Sequence, residues 1–426
     1  MSILDTATHM EQDTCIKNPF LGLKPYELSE YILLLAMAVA IPISWNLALK
    51  VLVLLGVNTI VKVACTRHVG NSALGRNGLT CLLLTALFFG IYVVSMLYTS
   101  NTAEGWDNIT KKLSFIIFPV IFLLSDMHYL RHDRKQWVVG AFAMTLILRF
   151  LYYLVRATLR YVDRGYFPLD EFFDPLHHTY LSMYVLFVLP LLYLGLCRQV
   201  SKRARWQTAA VAVGMLMLVA YIVLTQSRTG LLGIIILACA MLAHLFFVRK
   251  RYLLGIVLIA TLSAGALGVY LVQPETSHRL SHTINSILAG NSSDDRFIIT
   301  RTARQTIADN MPWGAGAGDR IDEMNIRYRE NTEDAAVLQR QFNPHNQYLD
   351  TLLATGIPGL GILLAMLILP LCRRGGCHRR YLVAFISSVA FCSLFESLME
   401  RQMGILFVCF FYCLLCGTTA ADEHVG

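Results

Sequence analysis

The chain has 426 residues, of which 56% are hydrophobic and only 15% charged, with a formal net charge of +8 and a mean hydropathy of +0.54. Soluble globular chains carry about 25% charged residues, so soluble and collagen-like folds are excluded. The apolar residues fall in continuous runs long enough to cross a bilayer core, not in the alternating pattern of a β-barrel. The expected fold class is all-α and polytopic.

In chain order the runs predict twelve spans, at about 28–47, 48–66, 79–99, 113–128, 136–156, 177–197, 206–226, 229–248, 252–272, 347–371, 380–398 and 402–420. The second carries Lys50 and Lys62. Residues 1–27 lack a basic-then-apolar signal layout, so the first span is expected to be an uncleaved anchor. The organisation expected is an N-terminal membrane bundle at 1–272, a long loop with a short amphipathic helix at 273–346, and a C-terminal membrane segment at 347–426.

Lys and Arg stay preferentially on the cytoplasmic side. With the N-terminus inside, the basic groups around Arg67 and Arg76, Arg131 to Lys135, Arg198 to Arg205, Arg249 to Arg251 and Arg373 to Arg380 all fall in alternate loops. The opposite face then holds residues 157–176 and the long loop. None of the eleven cysteines lies in these outer loops, so no disulfide framework is expected there. Cys372 and Cys377 beside His378 do not complete a structural zinc site. Cys409, Cys413 and Cys416 share a helix face as small packing residues.

After Lys112 the outer side holds thirteen Arg and no Lys. Guanidinium binds phosphate through paired donors and keeps its charge when partly buried. Such a surface suits a phosphate- or carboxylate-bearing ligand, although interfacial arginines also snorkel with no ligand. Arg156 and Arg160 follow the fifth span. The long loop has ten acidic residues against eight Arg, so it is no nucleic-acid patch. Arg228, in Gln226-Ser227-Arg228-Thr229-Gly230, sits in a very short connection between two spans. A charge so near hydrocarbon either marks a site or snorkels.

Ser292-Ser293-Asp294-Asp295 is a helix N-cap signal. In the helix it opens, Arg296, Arg301 and Arg304 fall within an arc of about 140°, mostly opposite Ile298, Ile299, Ala303 and Ile307. That cationic face either holds an anion or is a solvated face paired to local acids. Pro344 favours an extended approach, so the tenth span should begin near His345 and Asn346. His345 is then at the depth of Arg228. An imidazole there can serve as general base for a sugar hydroxyl, or be structural. No Asp-x-Asp pair suits a divalent ion, and Asp294-Asp295 and Asp319 to Glu323 are poorly spaced for one. Gly314-Ala315-Gly316-Ala317-Gly318 lacks the ending of a phosphate loop and reads as a turn after Pro312.

Three motifs resemble the O-antigen ligase and polymerase family: Ser227-Arg228-Thr229-Gly230, the Arg296 helix leading to Pro312-Trp313-Gly314, and Pro344-His345-Asn346-Gln347 running to Gly356-Ile357-Pro358-Gly359. The length, the twelve expected spans and the long loop are similar to its ligase branch. The resemblance implies a fold like the C-type membrane glycosyltransferases and a site on the periplasmic face of a Gram-negative inner membrane. It implies transfer of O-antigen from undecaprenyl pyrophosphate to lipid A–core oligosaccharide, with neither nucleotide nor metal and no other cofactor. It further implies that His345 is the base, and that Arg228 with one arginine of the 296–304 helix binds the pyrophosphate. A polymerase or protein O-oligosaccharyltransferase of the same superfamily shares these motifs. A twelve-span transporter would need charge near mid-membrane, where the sequence offers little besides Arg149.

Overall fold

A computed structural model describes residues 18–165, 176–199, 205–225, 227–250, 252, 255–256, 295–331, 342–372 and 379–417. Among these residues the regular structure is entirely helical. The first half comprises α1 (Pro25–Ile43), α2 (Trp45–Thr66), α3 (Arg76–Ser95), α4 (Thr102–Lys112), α5 (Ser114–Leu124), α6 (His132–Arg164) and α7 (His178–Gln199). The second comprises α8 (Arg205–Leu224), α9 (Arg228–Ala243), α10 (Asp295–Asp309), α11 (Arg320–Asn331), α12 (Gln347–Ile368), α13 (Arg379–Cys392) and α14 (Gln402–Cys416).

Among the described residues eight helices are long and apolar enough to cross a membrane: α1, α2, α3, α6, α7, α8, α9 with the π-turn that extends it, and α12. The expected ninth span lies almost wholly outside the described residues. The fourth expected span is corrected. Its helix is α5, only 11 residues long, and it follows directly on α4 after Lys112, whose side chain is drawn into a buried ion pair with Glu400 at 2.6 Å. The eleventh and twelfth expected spans are helices of 14 and 15 residues. α14 is buried at every residue from Gly404 to Cys416, as a helix that is apolar all round must be. Phe407 and Phe411 on it stack with Phe142, Phe187 and Phe385, and Cys409, Cys413 and Cys416 fill the gaps between. The helix α6 runs to Arg164, so the expected loop from 157 begins as helix and carries Arg156 and Arg160.

Two of the charges inside the spans, Lys62 and Arg149, are partnered. Lys62 meets Glu30 at 2.7 Å and also donates to Ser125 Oγ and the Asp126 carbonyl. This pair ties α1, α2 and the end of α5 together, which is why a lysine is tolerated in α2. Arg149 donates to the carbonyls of Pro42 and Ile43 at the end of α1 and to Tyr221 Oη. A cation there satisfies carbonyls that a helix end leaves open.

Among its described residues the long loop contains two helices where one was expected. The buried face of α10 (Ile299, Ala303, Ile307) packs with Met324 and Tyr328 of α11 and with Leu353 of α12. Helix α12 breaks at Gly356, which has φ 64° and ψ −158°. Pro358 lacks an N–H, and the Ile357 N–H donates to the Pro312 carbonyl instead of continuing the helix. The carbonyls of Leu353 and Ala354 are thereby freed, and they accept from Ala315 N at 2.7 Å and Gly316 N at 3.0 Å. The glycine-rich segment is thus not a simple turn. It threads into the break in α12, with φ 81° at Gly314 and 101° at Gly316.

Gly356→Ala should therefore cost about 1–3 kcal/mol from its Gly-only backbone angles, and more because a Cβ there collides with the Pro312 carbonyl. Thermal unfolding in detergent should show a clear fall in midpoint. Gly361→Ala, in open space, should leave the midpoint unchanged or raise it.

Candidate functional site

His345 is held by its neighbours in a left-handed conformation, φ 46°. Its N–H donates to Asn343 Oδ1 at 3.1 Å. Asn346 is the N-cap of α12, accepting from Tyr348 N and Leu349 N, so the helix begins where Pro344 and Asn346 predicted. The Asn346 amide donates to the Leu394 carbonyl, Gln347 N donates to the Ser393 carbonyl, and Gln347 Oε1 accepts from Met399 N at 2.6 Å. The segment is thereby docked on the connection between α13 and α14.

That connection brings Glu396 Oε1 to 3.4 Å from His345 Nδ1, with the His345 side chain 36% exposed. Burial pushes the Glu396 carboxyl up, but His345, His177 and Arg401 outweigh it and hold the group below the usual carboxylate range. An ionised Glu396 favours the tautomer with the proton on Nδ1 and leaves Nε2 as the accepting nitrogen.

The start of α7 lies against the same connection. Burial, with the charge of His178 beside it, pushes the His177 imidazole down to about 4. The two imidazoles stack with centroids 3.9 Å apart. One turn on, Ser182 Oγ lies 2.8 Å from both the His178 carbonyl and Ser227 Oγ. Ser227 caps α9 by accepting from Gly230 N at 3.1 Å. A Cβ at Gly230 would strike Ser182, so the glycine of Ser-Arg-Thr-Gly lets α9 approach α7. Arg228, the first residue of α9, is exposed. Arg228 is therefore seated against α7 through Ser227 and Ser182, and His345 is tied to Glu396, with no direct contact between Arg228 and His345 among the described residues.

Arg301 and Arg304 are exposed on α10, opposite its buried face. Arg296 begins that helix, and its side chain lies outside the described set. Arg156 and Arg160 are half-buried on the last turns of α6.

Beneath these residues lies a network of buried charges absent from the sequence reading. Arg320 donates to Asp350 Oδ1 and to Glu400 Oε2, each at 2.6 Å. Lys112 Nζ lies 2.6 Å from Glu400 Oε1, and Asn108 joins both. Burial pushes the Glu400 carboxyl up, but Arg320 and Lys112 overcome this and hold it at about 2. Asp319 accepts from the backbone N–H groups of Ser100 and Asn101 at 2.7 and 2.6 Å, and Asp322 accepts from the Asn101 side chain. These acids dock the lobe formed by α10 and α11 on the connection between α3 and α4. The sequence signal for the network and for Glu396 was the cluster Glu396, Glu400 and Arg401 in an otherwise apolar stretch. Among the described residues no three His, Cys, Asp or Glu side chains are grouped to hold a metal ion; Cys377 and His378 lie outside those residues.

Residues 213–364 match the family model described as O-antigen ligase, which supports membership of the O-antigen ligase and polymerase family. The matched stretch contains Arg228, the arginines of α10 and His345. A comparison with curated proteins gives no match.

The Glu400 carboxyl is depressed in the folded protein, so its contribution to stability is present above its ordinary value near 4.5 and is lost as pH falls toward about 2. Hydrogen exchange of α11 should accelerate over that window. Glu400→Gln should expose α11 to exchange already at pH 7 and flatten the acid dependence.

Proposed function

We propose that this member of the O-antigen ligase and polymerase family is an inverting glycosyltransferase of lipopolysaccharide biosynthesis. It moves O-antigen polysaccharide from undecaprenyl pyrophosphate to lipid A–core oligosaccharide. The observation that carries the reading is the exposed His345 imidazole backed by an ionised Glu396, at the end of the bundle that also presents Arg228, Arg301 and Arg304.

The basic loops favour a cytoplasmic position for the opposite end, and in this reading the His345 end faces the periplasm of a Gram-negative inner membrane. The 273–346 segment is then a periplasmic loop between the bundle of residues 1–272 and the C-terminal membrane segment 347–426. His345 Nε2 takes the proton of the acceptor hydroxyl as its oxygen attacks the anomeric carbon. The bond from that carbon to the phosphate oxygen breaks on the opposite side, and undecaprenyl pyrophosphate leaves with the electron pair. Inversion follows from this geometry. Arg228 and the α10 arginines, with Arg156 and Arg160 nearer the rim, meet the charge that develops on the diphosphate, so the chemistry requires neither a metal nor a cofactor. Much of the rate comes from holding two lipid-anchored substrates in register between the bundle and the lobe. A polymerase would use the same donor chemistry with a different acceptor, so the product decides between them.

Purified protein reconstituted with lipid-linked glycan and lipid A–core should yield glycan joined to the core, and a chelator should leave the yield unchanged. Glycan lengthened on its own carrier would instead identify a polymerase. His345→Ala should lower turnover by about 10²–10⁴-fold while the protein still inserts. Arg228→Lys keeps the charge but loses the paired donors, and should cost on the order of 10²-fold in rate. Normal turnover in His345→Ala would remove His345 from the mechanism, and normal turnover in Arg228→Lys would leave Arg228 an interfacial residue.

A further inference from the structure

Arg320 is the first residue of α11 and only 6% exposed. Its two terminal nitrogens reach carboxylates on two separate elements, Asp350 on α12 and Glu400 before α14. Asp350 lies just over one helical turn beyond His345. Glu400 lies about one turn beyond Glu396 and directly precedes Arg401. One guanidinium from the lobe therefore holds both elements that carry the His345–Glu396 pair. The lobe it belongs to also carries Arg301 and Arg304.

The attachment of the lobe does not rest on this residue alone. The glycine-rich segment already binds α12 through three backbone hydrogen bonds, from Ala315, Gly316 and Ile357, and Asp319 holds Ser100 and Asn101. A buried ion network adds little over apolar packing of the same volume. What a guanidinium adds is direction, since its rigid fork fixes an angle that an apolar contact or a lysine leaves loose.

We propose that Arg320 is a positioning residue. It sets the register between the arginines of the lobe and the imidazole of the bundle, so that the departing diphosphate and the attacking hydroxyl are met together. The inference rests on the transferase reading for its kinetic consequence, and on the geometry alone for its structural one.

The test uses the full chain in lipid nanodiscs, with Arg320→Lys and, as a second variant, Asp350→Asn. Turnover at saturating donor and acceptor should fall by about 100-fold, the loss typical of a reacting pair misplaced by about 1 Å. The KM for the lipid-linked donor should stay within about threefold of wild type, since Arg228, Arg301 and Arg304 are untouched. The double variant should be little worse than either single one. Hydrogen exchange, which needs no activity, should show faster exchange in α10 and unchanged protection in α7. Arg327→Lys, at an exposed pair with Asp309 and Glu330, should match wild type throughout.

Wild-type turnover in both variants, or a loss accounted for by the fraction of unfolded protein, would overturn the proposal. So would unchanged exchange in α10. If the wild-type protein transfers no glycan yet α10 loosens in the variants, the transferase reading fails and the positioning of the lobe by Arg320 stands.

Discussion

A backbone break inside an apolar helix must have its freed carbonyls satisfied by protein, because hydrocarbon offers no donor. Gly356 and Pro358 impose that break on α12, and the N–H groups of Ala315 and Gly316 answer it. The rest of the site is arranged around this repair. The segment that supplies the donors joins α10 to α11, so the helix bearing Arg301 and Arg304 is seated over the bundle within a short chain length. The same seating delivers Arg320 to Asp350 and Glu400. His345 and the cap residue Asn346 immediately precede α12, ahead of the break.

Two kinds of charge lie at this end of the bundle, and their burial separates their roles. Arg228, Arg301 and Arg304 are exposed and have no described partners, which suits groups that wait for an anion. Arg320, Lys112 and Glu400 are buried and paired with one another, which suits groups that hold geometry. Glu396 belongs between them: it is buried, yet its partner His345 is open to solvent. A carboxylate that orients an imidazole from the protein side leaves the other ring nitrogen for chemistry, and that asymmetry distinguishes His345 from a histidine paired only for packing.

The long spans were legible because hydropathy over about 20 residues is a local property. The start of α12 was legible for the same reason, since Pro344 and Asn346 act on their immediate neighbours. The amphipathic α10 followed from its period, and its buried face is the one the period indicates. What the sequence hid was long-range. Lys112 looked like the edge of a span, and nothing near it announces its buried pair with Glu400, far along the chain. The glycines from 314 to 318 looked like a turn because nothing local announces a broken helix as their partner. Glu396 sat inside an expected span end, and its link to His345 exists only once α12 and α13 are packed. Arg149 and Lys62 were visible as charges in spans, but the groups that accept from them were not.

In the proposed mechanism the diphosphate of a lipid-linked donor lies between Arg228, the exposed face of α10 and His345. The most direct measurement is photo-crosslinking of the purified protein with an undecaprenyl pyrophosphate analogue bearing a diazirine beside the diphosphate, followed by peptide mapping. Labels should fall on the peptides containing residues 227–230, 301–304 and 342–346, and excess unmodified carrier should compete them away. Competable labelling confined to the opposite end, around Arg131 and Arg134, would contradict it.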